Sequence, residues 1–274
     1  MRSLEEVMVV ASLEGALLDK NGKMPRANAE VIRLFCSRGG RFSVASNRTP
    51  AYVCAALEGV PVTEPVICSG GAVIYDVNKR EYAAQRLMNP GEAEKAMEAI
   101  CTAIPGLGVI LQRQDGTLCA VRTNEATHAY LRRENTGYLL CQLSDVQKLW
   151  VRVIFTGKPE QMERLEQYME RHRNVAELSF ARATDDSCHL LGVDVSKGVA
   201  LRELAQLCEV SQPDIYTIGG NQSDQYLMQM AGHAVAMPCA PVKVKLAADL
   251  VTRLEAREGG AGEFLYQLIK EYER

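Results

Sequence analysis

The sequence predicts an α/β fold, in which a core built on a parallel sheet is interrupted by an inserted α+β domain. Residues 7–11 form a continuous apolar run, which is typical of a strand buried on both faces of a sheet, and residues 42–45 and 66–68 are predicted to be the second and third strands. Helix patterns at residues 27–37 and 50–57 separate these strands along the chain. This β-α-β-α-β order predicts parallel strands with helices on both faces of the sheet.

The alternation of strands and helices stops near residue 72 and returns near Ser196. Between these points strands and helices are segregated, with hairpin signals at Asn78-Lys79 and Asp115-Gly116, which favours a separate α+β unit. The elements expected in or beside the insertion are strands at 72–76, 81–87, 109–112, 117–121 and 149–156 and helices at 91–103 and 159–171. Those expected after it are helices from 196 and 223, strands at 215–218 and 234–237, and a helix at 262–272.

Composition and charge exclude several classes of protein. The 274 residues are 47% hydrophobic and 24% charged, which is ordinary for a soluble globular chain that buries a core. The net charge of -3 gives no electrostatic footprint for nucleic acid or an anionic membrane, so we expect neither as a partner. The acidic start of the chain does not resemble a signal peptide. The nine cysteines contain no C-x-x-C pair, so we expect reduced, buried thiols in a cytoplasmic protein.

The first apolar run ends in a motif, Ser12-Leu13-Glu14-Gly15-Ala16-Leu17-Leu18. This motif resembles the start of the Cof-type phosphatases of the haloacid-dehalogenase (HAD) superfamily, where the same place reads Asp-x-Asp-Gly-Thr-Leu-Leu. The resemblance implies that position 12 belongs to the nucleophile and position 14 to the general acid and base. Ser12 and Glu14 stand at these positions, so both family aspartates are replaced.

Two further motifs resemble the elements with which this superfamily holds phosphate. Ser46-Asn47-Arg48 resembles Thr/Ser-Gly-Arg, which implies that the Ser46 hydroxyl and the amide of Asn47 contact phosphate oxygens. Lys197, in a segment similar to Val-x-Lys-Gly-x-Ala-Leu, matches the lysine that neutralises nucleophile and phosphate. A cation near a helix start is slightly unfavourable for the helix dipole, which also favours a role at an anion site.

The fourth motif, Gly219-Gly220-Asn221-Gln222-Ser223-Asp224, resembles the Cof-type pattern Gly-Asp-x-x-Asn-Asp. Gly220 replaces the aspartate that binds Mg²⁺ directly in the family, and Asp224 is the remnant of the metal site. Mg²⁺ is held by near-octahedral oxygen ligands, usually including one or two carboxylates. Because Ser12 and Gly220 remove both expected carboxylate ligands, we expect Mg²⁺ binding to be weak or absent.

The resemblance extends along nearly the whole chain and implies a Rossmann-like HAD core, residues 1–81 and 190–274, with an α+β cap at residues 82–189 that selects the substrate. Our leading hypothesis is an inactive or severely impaired relative that still binds phosphate, sulfate or a small phosphosugar without metal. Its pocket could instead have drifted and bind nothing. One alternative is an active phosphatase of small phosphomonoesters using Ser12 and Glu14 in an altered mechanism. Another is a structural partner of an active relative.

Other polar and aromatic residues give weaker signals. The four histidines show no metal-ligand spacing, and His189 lies on a strand near the end of the insertion. Trp150 begins a strand and is predicted to lie in a core. Arg132-Arg133-Glu134 is predicted to be a solvated helix face.

Overall fold

The computed structural model describes residues 3–172 and 178–273 of the chain. The chain divides into two compact units. The first comprises Met1–Asn47, Val53–Ala84 and Ser196–Arg274, and the second comprises Arg48–Tyr52 and Gln85–Val195. Within the described residues, no helix has both the length and the apolar character that crossing a bilayer requires.

The described residues contain strands and helices in the following chain order. The strands are β1 (Met8–Ser12), β2 (Arg41–Ala45), β3 (Val66–Cys68), β4 (Val73–Asp76), β5 (Glu81–Gln85), β6 (Gly108–Arg113), β7 (Leu118–Arg122), β8 (Tyr138–Leu140), β9 (Trp150–Thr156), β10 (Leu178–Thr184), β11 (Ser187–Gly192), β12 (Ile215–Gly219), β13 (His233–Ala236) and β14 (Leu250–Val251). The helices are α1 (Arg26–Ser37), α2 (Pro50–Ala56), α3 (Pro90–Ala103), α4 (Glu125–Glu134), α5 (Pro159–Arg171), α6 (Lys197–Leu207), α7 (Asp224–Gln229), α8 (Val242–Leu246) and α9 (Gly260–Tyr272).

The first unit is built on an eight-stranded sheet with the order β14-β13-β12-β1-β2-β3-β4-β5. The strands from β14 to β3 pair in parallel, and β4 joins β3 in antiparallel register. The predicted α/β class with a parallel sheet is therefore confirmed. Because parallel strands share one carboxyl edge, the residues that follow β1, β2 and β12 are brought to the same edge of the sheet.

Both faces of the central strand β1 are covered. Met8 and Val10 belong to a hydrophobic cluster with Leu201 and Leu204 of α6 and Leu227 of α7. The residues that alternate with them along β1 are also completely buried, and successive side chains of a strand point to opposite faces. This burial on two faces is the physical reason that the first strand reads as a continuous apolar run.

A buried asparagine fixes the segment that follows β1. Asn28 of α1 is fully buried, and its side-chain amide donates to the Leu17 carbonyl at 3.0 Å. Its side-chain oxygen accepts from the Gly262 amide at 2.9 Å. The turn that carries Glu14 is thereby tied to α1 and to the start of α9.

The second unit contains a six-stranded sheet with the order β10-β11-β9-β6-β7-β8. Its pairs are antiparallel apart from β7 and β8, which run parallel. One face packs in a hydrophobic cluster that includes Met97 of α3 and Leu165 of α5. Trp150 is completely buried in this cluster, so its predicted core position is confirmed. The strands β8 and β10 were not among the elements predicted from sequence.

The nine cysteines are all free. Four of them are buried, whereas Cys239 is exposed, so the expectation of buried thiols holds for only part of the set. Burial raises the pKa of the Cys188 thiol to about 12 and that of Cys36 to about 11. Such thiols are protonated at neutral pH and therefore poor nucleophiles.

Candidate functional site

Ser12 is the last residue of β1 and lies at the carboxyl edge of the parallel sheet. Its side chain is fully buried, and its Oγ has no hydrogen-bond partner among the described residues. A π-helical turn, Leu13–Leu17, follows it, and the Leu18 amide closes this turn on the Leu13 carbonyl at 2.9 Å. The resemblance places the nucleophile at this position, where the chain has a buried neutral hydroxyl that is hydrogen-bonded to no base among the described residues.

Glu14 lies in the π-helical turn and points toward the loop after β2. Ser46 Oγ donates to Glu14 Oε1 at 2.5 Å. The backbone of Ser46 is held as well, since its amide donates to the Ile67 carbonyl at 2.8 Å and its carbonyl accepts from the Gly70 amide at 3.1 Å. The acid/base position and the first phosphate-binding position are therefore in direct contact.

Lys197 and Asp224 form a buried ion pair. Lys197 Nζ donates to Asp224 Oδ1 at 2.8 Å, and the two side chains are 1% and 0% exposed. Asp224 Oδ2 accepts from the backbone amides of Gly220 at 3.0 Å and Asn221 at 2.8 Å. Both oxygens of the carboxylate thus have hydrogen-bond donors from the protein itself.

Close backbone packing brings Lys197 to this position. Ser196 caps α6 by accepting from the Val199 amide at 3.2 Å. Gly71, with φ of +103°, lies so near this cap that a Cβ on it would be 2.2 Å from the Ser196 carbonyl oxygen. Gly198 approaches α7 equally closely, since a Cβ there would lie 2.3 Å from the Tyr226 carbonyl oxygen. A side chain at either glycine would push α6, and with it Lys197, away from Asp224.

Gly15 and Gly220 pack backbone against backbone between Ser12 and Asp224. A Cβ on Gly15 would lie 2.7 Å from Asp224 Oδ2 and 2.8 Å from Ser12 Oγ. A Cβ on Gly220 would lie 2.2 Å from the Gly15 carbonyl oxygen, a distance that real Cβ atoms do not adopt. Position 220, where the resemblance expects a metal-binding aspartate, therefore has no room for a side chain unless the backbone moves.

The second and fourth motifs also meet, since Asn47 Nδ2 donates to Ser223 Oγ at 3.3 Å. The structure thus brings together every site residue named from sequence, all within the first unit: Ser12, Glu14, Ser46, Asn47, Lys197 and Asp224. Their individual roles stay predictions.

A family model for haloacid dehalogenase-like hydrolases matches residues 9–265. The chain belongs to this family. The resemblance inferred from the four motifs is thereby confirmed.

Two curated relatives of this haloacid dehalogenase-like hydrolase are phosphatases. The 5-amino-6-(5-phospho-D-ribitylamino)uracil phosphatase of Bacillus subtilis is 22% identical, over 95% of this chain and 97% of the relative. A phosphoglycolate phosphatase of Methanoculleus marisnigri is 26% identical, over 96% of this chain and 95% of the relative. A solved haloacid dehalogenase-like hydrolase from B. subtilis has the same fold, with a TM-score of 0.81 at 18% identity, over 95% of this chain and 99% of that one.

Members of this family generally use Mg²⁺. Among the residues that the structure describes, no three His, Cys, Asp or Glu side chains lie close enough together to hold a metal ion. Ser12 contributes a neutral hydroxyl, Gly220 contributes no side chain, and the Asp224 carboxylate faces the Lys197 ammonium. This donor set does not fit a divalent cation that prefers carboxylate oxygens.

One prediction about this haloacid dehalogenase-like hydrolase was wrong. Glu134, expected on a solvated helix face, is 0% exposed, whereas the two preceding arginines are exposed. Thr127, Tyr130, Leu131 and Glu134 make up the buried face of α4. Only Tyr130 and Leu131 of these four are apolar or aromatic, so hydrophobic periodicity did not identify Glu134 as buried.

His189 is also buried, at 1% exposure. It lies on β11, and its Nδ1 is 3.2 Å from Arg152 Nη1 on β9. Arg152 in turn donates from Nε to Gln112 Oε1 at 2.6 Å. These three side chains form a buried polar group on the sheet of the second unit, which a lone histidine in the sequence did not indicate.

Proposed function

We propose that this chain is an inactive or severely impaired member of its family that binds inorganic phosphate, sulfate or a small phosphorylated metabolite without a metal ion. The observation that carries the proposal is the Lys197–Asp224 pair. The only acidic residue kept at the family's metal position is neutralised by a lysine at 2.8 Å and by two backbone amides.

The loss of the nucleophile is the second support. The family's reaction begins with attack by an ionised carboxylate, whereas a serine hydroxyl needs a base to remove its proton. Ser12 Oγ has no hydrogen-bond partner among the described residues, and Glu14 Oε1 accepts from Ser46 instead. Removing the nucleophile of a comparable covalent enzyme costs on the order of 10⁶ in kcat. The Ser12/Glu14 mechanism therefore receives no support from this geometry.

Phosphate binding is supported by what the edge of the sheet retains. Ser46 is held by two backbone hydrogen bonds, and Lys197, although its charge is balanced by Asp224, has three N–H donors of which one is given to that carboxylate. Both curated relatives act on small molecules that carry a phosphate group. An anion that contacts Ser46 Oγ must first replace the Glu14 carboxylate as the acceptor of that hydroxyl, and it is repelled by the Glu14 charge. Glu14 is thus expected to weaken binding.

Replacing Glu14 with glutamine should therefore tighten the binding of inorganic phosphate by about tenfold, which corresponds to roughly 1.4 kcal/mol. The substitution removes the repulsion and keeps a side chain of the same size next to Ser46. Isothermal titration calorimetry measures the effect, and Glu30→Gln, an exposed acid on α1, is the control for net charge. Unchanged or weaker binding in Glu14→Gln alone would contradict this account of the site.

The proposed function is tested by titrating the wild-type chain with phosphate, once with EDTA and once with excess Mg²⁺. Equal affinity under the two conditions, and weaker binding in Ser46→Ala, is the expected result. No binding with EDTA but clear binding with Mg²⁺ would show that the site still depends on a metal and would overturn the proposal.

A further inference from the structure

The last residue of α4 is an acid in an unfavourable place. Glu134 is 0% exposed, and burying a charge costs free energy unless it is paired. Its position at the carboxyl end of the helix adds to this cost, because the helix dipole is negative there. The helix itself ends without help from Glu134, since Asn135 adopts the left-handed conformation and its amide donates to the Leu131 carbonyl. Glu134 therefore has a role other than ending the helix.

Glu134 accepts hydrogen bonds from one short segment, Arg48–Tyr52, which belongs to the second unit. Arg48 Nη1 donates to Glu134 Oε1 at 3.2 Å. The amide of Thr49 donates to Glu134 Oε2 at 3.4 Å and the Thr49 hydroxyl donates to the same oxygen at 3.1 Å. The Arg48 guanidinium also lies over the rings of Tyr52 and Tyr130, at 5.2 Å and 5.7 Å from their centroids.

Arg48 and Thr49 directly follow Ser46 and Asn47 in the chain. The backbone of Ser46 is fixed by its hydrogen bonds to the backbone of Ile67 and Gly70. Further along this segment, the amide and hydroxyl of Thr49 bind Glu134, which also binds the side chain of Arg48. Ser46 on one side, and Arg48 with Thr49 on the other, are thus each held by their own contacts.

We propose that Glu134 is a positioning residue that fixes the backbone of Arg48 and Thr49, the two residues that directly follow Ser46 and Asn47 in the chain. A loop whose amides are already oriented binds an anion without first losing conformational freedom. The consequence for phosphate rests on the function proposed above. The effect on the loop itself is independent of it.

Glu134→Gln tests this proposal because it keeps the size of the side chain and one oxygen acceptor but removes the charge that pairs with Arg48. Hydrogen exchange of a peptide that covers residues 46–52, followed by mass spectrometry, reports on the loop. Calorimetry with inorganic phosphate reports on binding. Glu125→Gln, at the exposed start of the same helix, is the matched control. Thr49→Val removes one of the three hydrogen bonds to Glu134, together with the bond that Thr49 Oγ1 accepts from the Tyr52 amide, and serves as a second variant should Glu134→Gln fold poorly.

We expect exchange in residues 46–52 to become about tenfold faster in Glu134→Gln, and phosphate affinity to fall by about tenfold, with no change in Glu125→Gln. Thr49→Val should change both readouts in the same direction and by less. The proposal would be overturned if residues 46–52 of Glu134→Gln exchanged at the wild-type rate, or if the faster exchange were spread evenly over the whole second unit. If the wild-type chain binds no phosphate, the proposed function and the binding role of Glu134 both fail, while the exchange measurement still decides whether Glu134 fixes the loop.

Discussion

Replacing Lys197 with methionine is expected to lower the free energy of unfolding by about 3–5 kcal/mol, because it leaves Asp224 as an uncompensated buried charge. The two side chains are 1% and 0% exposed, so water cannot take over the role of the ammonium group. Urea denaturation followed by circular dichroism gives the free energy from the midpoint and slope of the transition. Asp224→Asn should be destabilising for the reciprocal reason, since it leaves Lys197 buried and unpaired.

The exposed pair of Arg26 and Glu30 provides the control for the buried one. Its side chains are 90% and 54% exposed, so Arg26→Met should leave the unfolding transition unchanged. The double variant Lys197→Met/Asp224→Asn should lose less stability than the sum of the two single variants, as residues in direct contact do. A Lys197→Met chain as stable as the wild type would mean that the ion pair does not form in solution.

Gly220→Ala is expected to destabilise the chain by about 1–3 kcal/mol, the range for forcing extra atoms into a packed interior. The added Cβ would lie 2.2 Å from the Gly15 carbonyl oxygen, and a backbone atom cannot rotate away as a side chain can. Gly137→Ala is the matched control, because no atom lies within 4 Å of a Cβ at that position. Thermal or urea unfolding that gives equal stability for the two alanine variants would contradict the packing described for position 220.

The close approach of Gly220 to the Gly15 carbonyl also limits attempts to restore the family's metal site. Gly220→Asp would return an acidic residue to the metal position, yet its Cβ meets the Gly15 carbonyl just as alanine does. We therefore expect Gly220→Asp to lose stability without gaining affinity for Mg²⁺. The missing carboxylate and the close backbone packing are two separate obstacles at this position, and only the first could be read from the sequence.

The convergence of the site could be predicted from sequence because it follows from topology. A continuous apolar run identified the first buried strand, the alternation with helices identified the others, and the motifs lie directly after the first two strands and the strand β12. Since the carboxyl ends of parallel strands share one edge, Ser12, Ser46 and the loop before Asp224 had to approach one another. Lys197 was placed by its resemblance to a family motif rather than by periodicity.

The contacts made by these side chains could not be predicted in the same way. Lys197 was expected to neutralise a bound phosphate, but it pairs with Asp224, and Arg48 of the second motif pairs with Glu134. Glu14 was weighed as a base for Ser12, whereas it accepts a hydrogen bond from Ser46. Such pairings depend on how closely the backbone packs at Gly15, Gly71 and Gly220. A sequence pattern does not report these distances.

We propose that the replaced carboxylates have removed Mg²⁺-dependent phosphoryl transfer. Hydrolysis of p-nitrophenyl phosphate and a panel of phosphosugars, with and without Mg²⁺, tests it most directly, with Ser12→Ala as the blank. We expect the wild-type chain to release phosphate no faster than Ser12→Ala under either condition. Turnover by the wild type that requires Mg²⁺ and disappears in Ser12→Ala would contradict the account and make Ser12 part of a working catalytic arrangement.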